Sequence, residues 1–185
     1  LAPAQRWEQH VLAFDTFDAA AGFCRHLALD APFECRLLSL HEAGITPYFK
    51  QLVRIGATPA GKAVVLLEAA AEKDVVVAAA AAHHGAATWH GPHETYHKAS
   101  VPQLSNFSYN HTTLWAMQAD ARWTYVQNVF STDAIVEQHH ALKAKYGDAT
   151  LTHCEWLKWG GVITPAGLSL VRFEDKQHLL DFMAF

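Results

Sequence analysis

The residues of this chain best suited to chemistry are gathered between Thr88 and Trp115, in the run TWHGPHETYHKASVPQLSNFSYNHTTLW. Imidazoles that exchange a proton near neutral pH stand there among hydroxyls and rings that exclude water, which is the make-up of a pocket for an organic molecule. A plain connector runs to Gly, Ser, Asp and Lys instead. The stretch is therefore expected to form a site. Four of its residues, His90, His93, His97 and His111, are potential metal ligands. Gly91 and Pro92 separate His90 from His93 and break the helical spacing on which a motif such as HExxH depends, and Glu94 and Glu155 add no recognisable ligand pattern. Ordinary hydrogen bonding or hydration explains these histidines, and no metal is expected.

Outside that segment three positions stand out. His41 and Glu42 follow an apolar run and are expected to deliver polar groups from a strand end to a cavity, although neighbours on a strand point to opposite faces and need not touch. Arg172 interrupts the apolar run Leu168 to Phe173, where it could anchor a substrate carboxylate by bidentate pairing or simply face solvent by alternation. The pairs His83/His84 and His139/His140 lie on helical faces or near helix ends, where cation placement explains them. No GxSxG elbow and no cysteine beside a recognisable histidine motif occurs, so covalent hydrolysis is disfavoured.

The elements that must position these residues are read from periodicity. Trp7 to Phe14 reads as a strand, followed by a helix capped by Asp15 or Thr16 with Phe17, Ala20, Cys24 and Leu27 on one stripe. Cys35 to Leu40 and Ala63 to Ala69 are strands around a short helix near Tyr48 to Ile55. Glu72 to His83 is helical, ending near Gly85, and Ala87 to His90 is a short closing strand, giving the order βαββαβ. After the central segment, Trp123 to Phe130 is a strand, and a helix capped by Ser131 or Thr132 carries Ile135, His139, Leu142 and Tyr146 up to Gly147. Leu151 to Trp159 and Val162 to Phe173 form a hairpin at Gly160-Gly161, with a bulge or bend at Pro165 to Gly167. Asp175 to Phe185 is a last helix with apolar positions Leu179, Leu180, Phe182 and Met183. The second half reads βαββα, one strand short of the first. The fold class is therefore α+β: duplicated ferredoxin-like modules with antiparallel sheet and helices on one side, the second module incomplete.

Composition narrows the function classes. With 185 residues, 51% of them hydrophobic, the chain can build one substantial core. Lys and Arg number 14 against 18 Asp and Glu, a net charge of −4 without a basic block, which excludes a nucleic-acid footprint. The longest low-polarity run, Val75 to Ala82, is too short to span a bilayer. Cys24, Cys35 and Cys154 are odd in number and widely spaced, which fits a reducing, cytoplasmic setting rather than a disulfide framework. The chain opens on Leu1, Ala2 and Pro3, without Met or a signal-peptide pattern, and reads as a cut start.

Three stretches carry a resemblance to a known family: RWEQHVLAFDTFDAAAGFC near the start, NFSYNHTTLWA followed by WTYVQ, and WGGVITPAGLSLVRF near the end. They resemble the carboxy-terminal substrate (cap) domain of FAD-linked oxidases of the vanillyl-alcohol-oxidase type. The resemblance implies that residues 1–185 are that cap domain: a first repeat over about 5–90, the site-forming segment over about 91–115 and a second repeat over about 116–185. It also implies an FAD-binding domain elsewhere in the same protein, since no Gly-rich phosphate-cradling loop follows a strand here. Oxidation by a flavin needs a base for the proton of the substrate's hydroxyl or amine, and His111 is the candidate. Tyr109, Asn110, His97, His41, Glu42 and Arg172 are the candidate substrate contacts, and the substrate is expected to be a small hydroxylated or phenolic compound. Two other readings stay open: a small-molecule-binding or regulatory module without chemistry, and a haem enzyme on the same fold with a histidine axial ligand. Homo-oligomerisation through the surface a partner domain would cover is also plausible.

Overall fold

Alternation of side chains along the strands and the 3.6-residue period of the helices set the element order. The computed structural model describes residues 6–30, 33–96, 98–108 and 111–184. Its elements are β1 (Glu8–Phe14), α1 (Phe17–Asp30), β2 (Cys35–His41), α2 (Lys50–Arg54), β3 (Ala63–Ala69), α3 (Lys73–Ala82) and β4 (Gly85–Gly91) in the first repeat. After α4 (His111–Ala119) come β5 (Trp123–Val129), α5 (Ile135–Tyr146), β6 (Thr150–Leu151), β7 (His153–Trp159), β8 (Val162–Arg172) and α6 (Lys176–Met183).

The strands form one antiparallel sheet in the order β4-β1-β3-β2-β7-β8-β5, with β6 paired beside β7 on β8. The order β4-β1-β3-β2 is that of a ferredoxin-like unit. The second repeat joins it through corresponding strands, β2 against β7, with Ser39 opposite Glu155, Leu40 opposite Cys154 and His41 opposite His153. The duplicated α+β arrangement expected from the sequence is thus what the chain builds.

Helices α1, α3, α5 and α6 pack on one face of the sheet, as expected. Phe14, Leu40, Val65, Leu67 and Cys154 meet Phe23, Cys24, Val76, Ile135 and Phe182 there. Each large side chain fully buried in this layer contributes about 1.5–3 kcal/mol relative to exposure. The alternate strand residues Val11, Val64, Leu66 and Leu170 point to the opposite face. That face is roofed by the 3₁₀ turns Thr46–Tyr48 and Leu104–Phe107 together with α2 and α4; these pieces contribute Leu52, Phe107 and Ala116, with Phe49 beside them. We call it the roofed face.

Local chemistry explains most boundaries. Thr16 caps α1, its Oγ1 accepting from the Ala19 N–H at 3.1 Å. Gly160 and Gly161 close the β7–β8 hairpin with φ of 57° and 86°, the left-handed pair a two-residue turn requires. Three expectations differ from the structure. Neither Ser131 nor Thr132 caps α5: the Thr132 hydroxyl is spent on the Ile163 carbonyl at 2.8 Å, and the helix starts after Ala134. Pro165 to Gly167 makes no bulge, because Pro165 stands one residue past the last β5·β8 pair, Val129 with Ala166, where no ladder donor is required. On α6, Phe182 enters the core, whereas Leu180 and Met183 are exposed.

Candidate functional site

The junction of the two repeats gathers four buried polar residues on the roofed face. Ser39 and His41 on β2 lie two residues apart and so share a face, as do His153 and Glu155 on β7, and the β2·β7 register sets the four side by side. Ser39 Oγ donates to Glu155 Oε1 at 3.1 Å and lies 2.7 Å from His41 Nε2; His153 Nε2 is 3.0 Å from the same carboxylate oxygen. The two imidazoles stack with centroids 4.4 Å apart. All four residues are buried, His41, Ser39 and His153 completely.

Burial, and secondarily the neighbouring His153, hold the His41 pKa well below the usual histidine range, so this ring is neutral at pH 7. With the Ser39 proton directed to Glu155, His41 must donate through Nε2–H, which leaves its Nδ1 as a bare lone pair. Neither His41 Nδ1 nor His153 Nδ1 has a hydrogen-bond partner among the described residues. The arrangement is therefore a short proton path, imidazole to hydroxyl to carboxylate to imidazole, with an open nitrogen at each end.

The roof over this quartet is aromatic. Phe49, from the loop between the 3₁₀ turn and α2, meets His41 edge-on at 4.9 Å. Phe107 and Trp115, both from the histidine-rich segment, pack on Phe49 at 5.5 and 6.1 Å and on each other at 5.2 Å. That segment crosses the roofed face from β4 to β5. Tyr96 Oη donates to Glu68 at 3.3 Å, the Leu104 N–H donates to buried Gln9 Oε1 at 2.7 Å, and Thr112 Oγ1 donates to the Phe107 carbonyl at 3.0 Å. The Arg36 guanidinium joins this anchor, 2.7 Å from Glu68 and stacked over the Tyr96 ring at 4.4 Å.

Of the candidates read from sequence, His41 is a member of the quartet. Glu42 turns to the other face, as alternation requires: its carboxylate accepts from Lys143 Nζ and from the Thr152 N–H, both at 2.7 Å. It never meets His41 and ties α5 to the β6–β7 strand. Arg172 lies on the roofed face toward the β5 edge, its guanidinium 5.6 Å from the Trp123 ring centroid. His111 is the first residue of α4, four residues after the roof residue Phe107. His97, Tyr109 and Asn110 lie outside the described residues. Ser39, His153 and Glu155 were not singled out from sequence, although polar residues at i and i+2 in two otherwise apolar strands were the available signal.

No family model and no curated protein matches this chain. Solved structures of alkyldihydroxyacetonephosphate synthase in two crystal forms do match, with TM-scores of 0.60 and 0.55 at 10% identity, over 97% of this chain. The fold is similar to part of that synthase. The chain spans 38% and 39% of the length of those two structures, and at this identity the likeness is one of fold.

Proposed function

We propose that this chain is the substrate-binding cap domain of an FAD-linked oxidoreductase that acts on a small hydroxylated or phenolic compound. The observation that carries the reading is the fold likeness to alkyldihydroxyacetonephosphate synthase along nearly the whole of this chain. The motif resemblance near both ends and in the central segment supports it independently, as does the gathering of His41, His153, Arg172 and the start of α4 on one face of the sheet.

The described residues do not fit the pyrophosphate of FAD. A phosphate cradle needs backbone N–H groups at a Gly-rich turn from a strand into a helix. The glycines with positive φ, at 56, 61, 147, 160 and 161, follow α2, precede β3, end α5 or close the β7–β8 hairpin. In this reading the cofactor is held by another part of the protein, and when bound it supplies the acceptor for the electron pair removed from substrate. The residues of this chain have other roles: His111 takes the substrate proton, Tyr109, Asn110 and His97 orient the substrate, and Arg172 pairs with an acidic group where one is present. His41 holds the inner end of the proton path as a neutral imidazole, and Glu42 positions the β2 end through Lys143.

The test is anaerobic flavin reduction in the full-length gene product, across a panel of hydroxylated and phenolic compounds. Loss of a positioned base lowers such a rate about 10²–10⁴-fold, and His111→Ala is expected to fall in that range with substrate affinity less affected. An unchanged reduction rate contradicts the assignment. A binding module without chemistry is the second reading; the complete burial of the quartet beneath aromatic rings favours it, and saturable binding of the same compounds without any flavin would establish it.

A further inference from the structure

On the opposite face of the sheet, across β3 from the quartet's strand β2, three ligating side chains converge that no part of the account above uses. Glu8 and His10 lie two residues apart on β1 and share its helix-packed face; His90 on β4 is the direct cross-strand partner of His10. The His10 and His90 rings stand 4.9 Å apart, His90 Nε2 is 2.8 Å from Glu8 Oε2, and one ligand atom from each of the three lies within 4.8 Å of the others.

Two further observations point to a ligand. His10 is completely buried, yet neither of its ring nitrogens has a hydrogen-bond partner among the described residues. A neutral imidazole carries a lone pair on one ring nitrogen, and at His10 no described protein group takes it, which leaves it free for a metal ion. The second is the register. From Gln9 to Val11 the β1·β4 pairs follow one register, and from Leu12 onward they are shifted by one, so Thr88 is the extra residue of a β-bulge. Its hydroxyl is held by the Val11 and Ala57 carbonyls, at 3.1 and 2.5 Å. Trp89 packs on the roofed face beside Val11, while Ala87 packs on the helix face beside Leu12. Strict alternation from Ala87 would send His90 to the roofed face. The bulge returns it to the face of His10 and Glu8, the re-aiming of a side chain for which bulges are used.

We infer that Glu8, His10 and His90 form a binding site for a divalent transition-metal ion of the zinc class, with solvent completing the coordination. Two imidazoles and one carboxylate are the donor set such ions take, at about 2.0–2.2 Å from each donor, and three protein ligands leave a position open. Burial, reinforced by His90 and by Lys73 at the start of α3, lowers the His10 pKa to about 4, so protons do not compete for its lone pair at neutral pH. The Glu8 charge offsets the repulsion between the Lys73 ammonium and the ion. Bound there, the ion clamps edge strand β4 to β1 beside the bulge. No spacing motif marks this site, because its ligands come from two strands 80 residues apart and converge only through the bulged register.

The test is a Co²⁺ titration of the metal-stripped full-length gene product, followed by visible absorption and calorimetry. One saturable site per chain is expected, and Glu8→Gln and His90→Asn, both at half-buried positions, should each weaken it about tenfold or more while circular dichroism stays unchanged. The pairs His26/His83, His41/His153 and His139/His140 are internal controls, since binding there survives both substitutions. Absence of a saturable site, or unchanged affinity in both variants, overturns the inference. X-ray absorption of the zinc-loaded wild type decides independently of variant folding: two imidazole nitrogens with oxygen donors support the site, and any other imidazole count overturns it. None of these outcomes depends on flavin.

Discussion

Acidification should begin to destabilise this protein at pH values above those at which its carboxylates titrate. Three histidines are buried in the neutral form. His10 and His139 are depressed to about 4, each chiefly by burial and then by a neighbouring histidine, and His41 lies well below the ordinary value of 6.5. In the unfolded chain all three regain that ordinary value. Because the folded pKa is the lower one, their contribution is fully present above about pH 6.5 and is lost as the pH falls toward the folded values. Near pH 5 the unfolded state holds close to three more protons than the folded state. At about 1.4 kcal/mol per proton and pH unit, stability should fall by about 4 kcal/mol per unit there, enough to exhaust a typical domain stability before pH 4. Urea denaturation of the metal-stripped protein, followed by far-ultraviolet circular dichroism between pH 8 and 4.5, measures the slope. His139→Phe keeps a ring against Phe17, on which His139 stacks at 3.7 Å, and removes one proton from the count, so its slope should be about one third shallower. A stability that stays flat between pH 7 and 5, or an unchanged slope in His139→Phe, refutes the reasoning.

Three further outcomes follow from the geometry. Ser39→Ala takes one partner from His41 Nε2 and one from Glu155 and should cost about 2–4 kcal/mol by urea denaturation; a cost under about 1 kcal/mol would mean the quartet is not a coupled network. Gly85→Ala would place a methyl inside 3.0 Å of three atoms of the buried Phe14 ring, and the resulting overpacking should lower stability by about 1–3 kcal/mol with a reduced melting temperature. Asp175→Ala removes the side-chain acceptor of the His178 N–H at 2.9 Å and should cost about 1 kcal/mol, seen as faster hydrogen exchange confined to α6.

Local rules made most of the fold legible. Alternation in Trp7 to Phe14 and Ala63 to Ala69, the stripe Phe17, Ala20, Cys24 and Leu27, and the Gly160-Gly161 turn each encode their element within a few residues. Long-range register was not legible. Nothing near Ser39 or Glu155 states that β2 and β7 pair, and the quartet exists only through that pairing. The bulge at Thr88 was equally hidden, because a one-residue shift depends on how β4 meets β1 and reverses where His90 points. Glu42 illustrates the opposite case: alternation alone placed it away from His41, but its partners Lys143 and Thr152 lie about 100 residues on and had no local signature. The histidine-rich segment was recognised as unusual from its residue types, and its role as roof came from Phe107 and Trp115 rather than from its histidines.

The central claim, a cap domain serving a flavin, is tested most directly by the visible absorption spectrum of the full-length gene product purified without added cofactor. The account predicts flavin bands, the longer-wavelength one near about 450 nm, released as FAD on denaturation. A spectrum without flavin absorption, from a folded protein that also fails to take up added FAD, would contradict it.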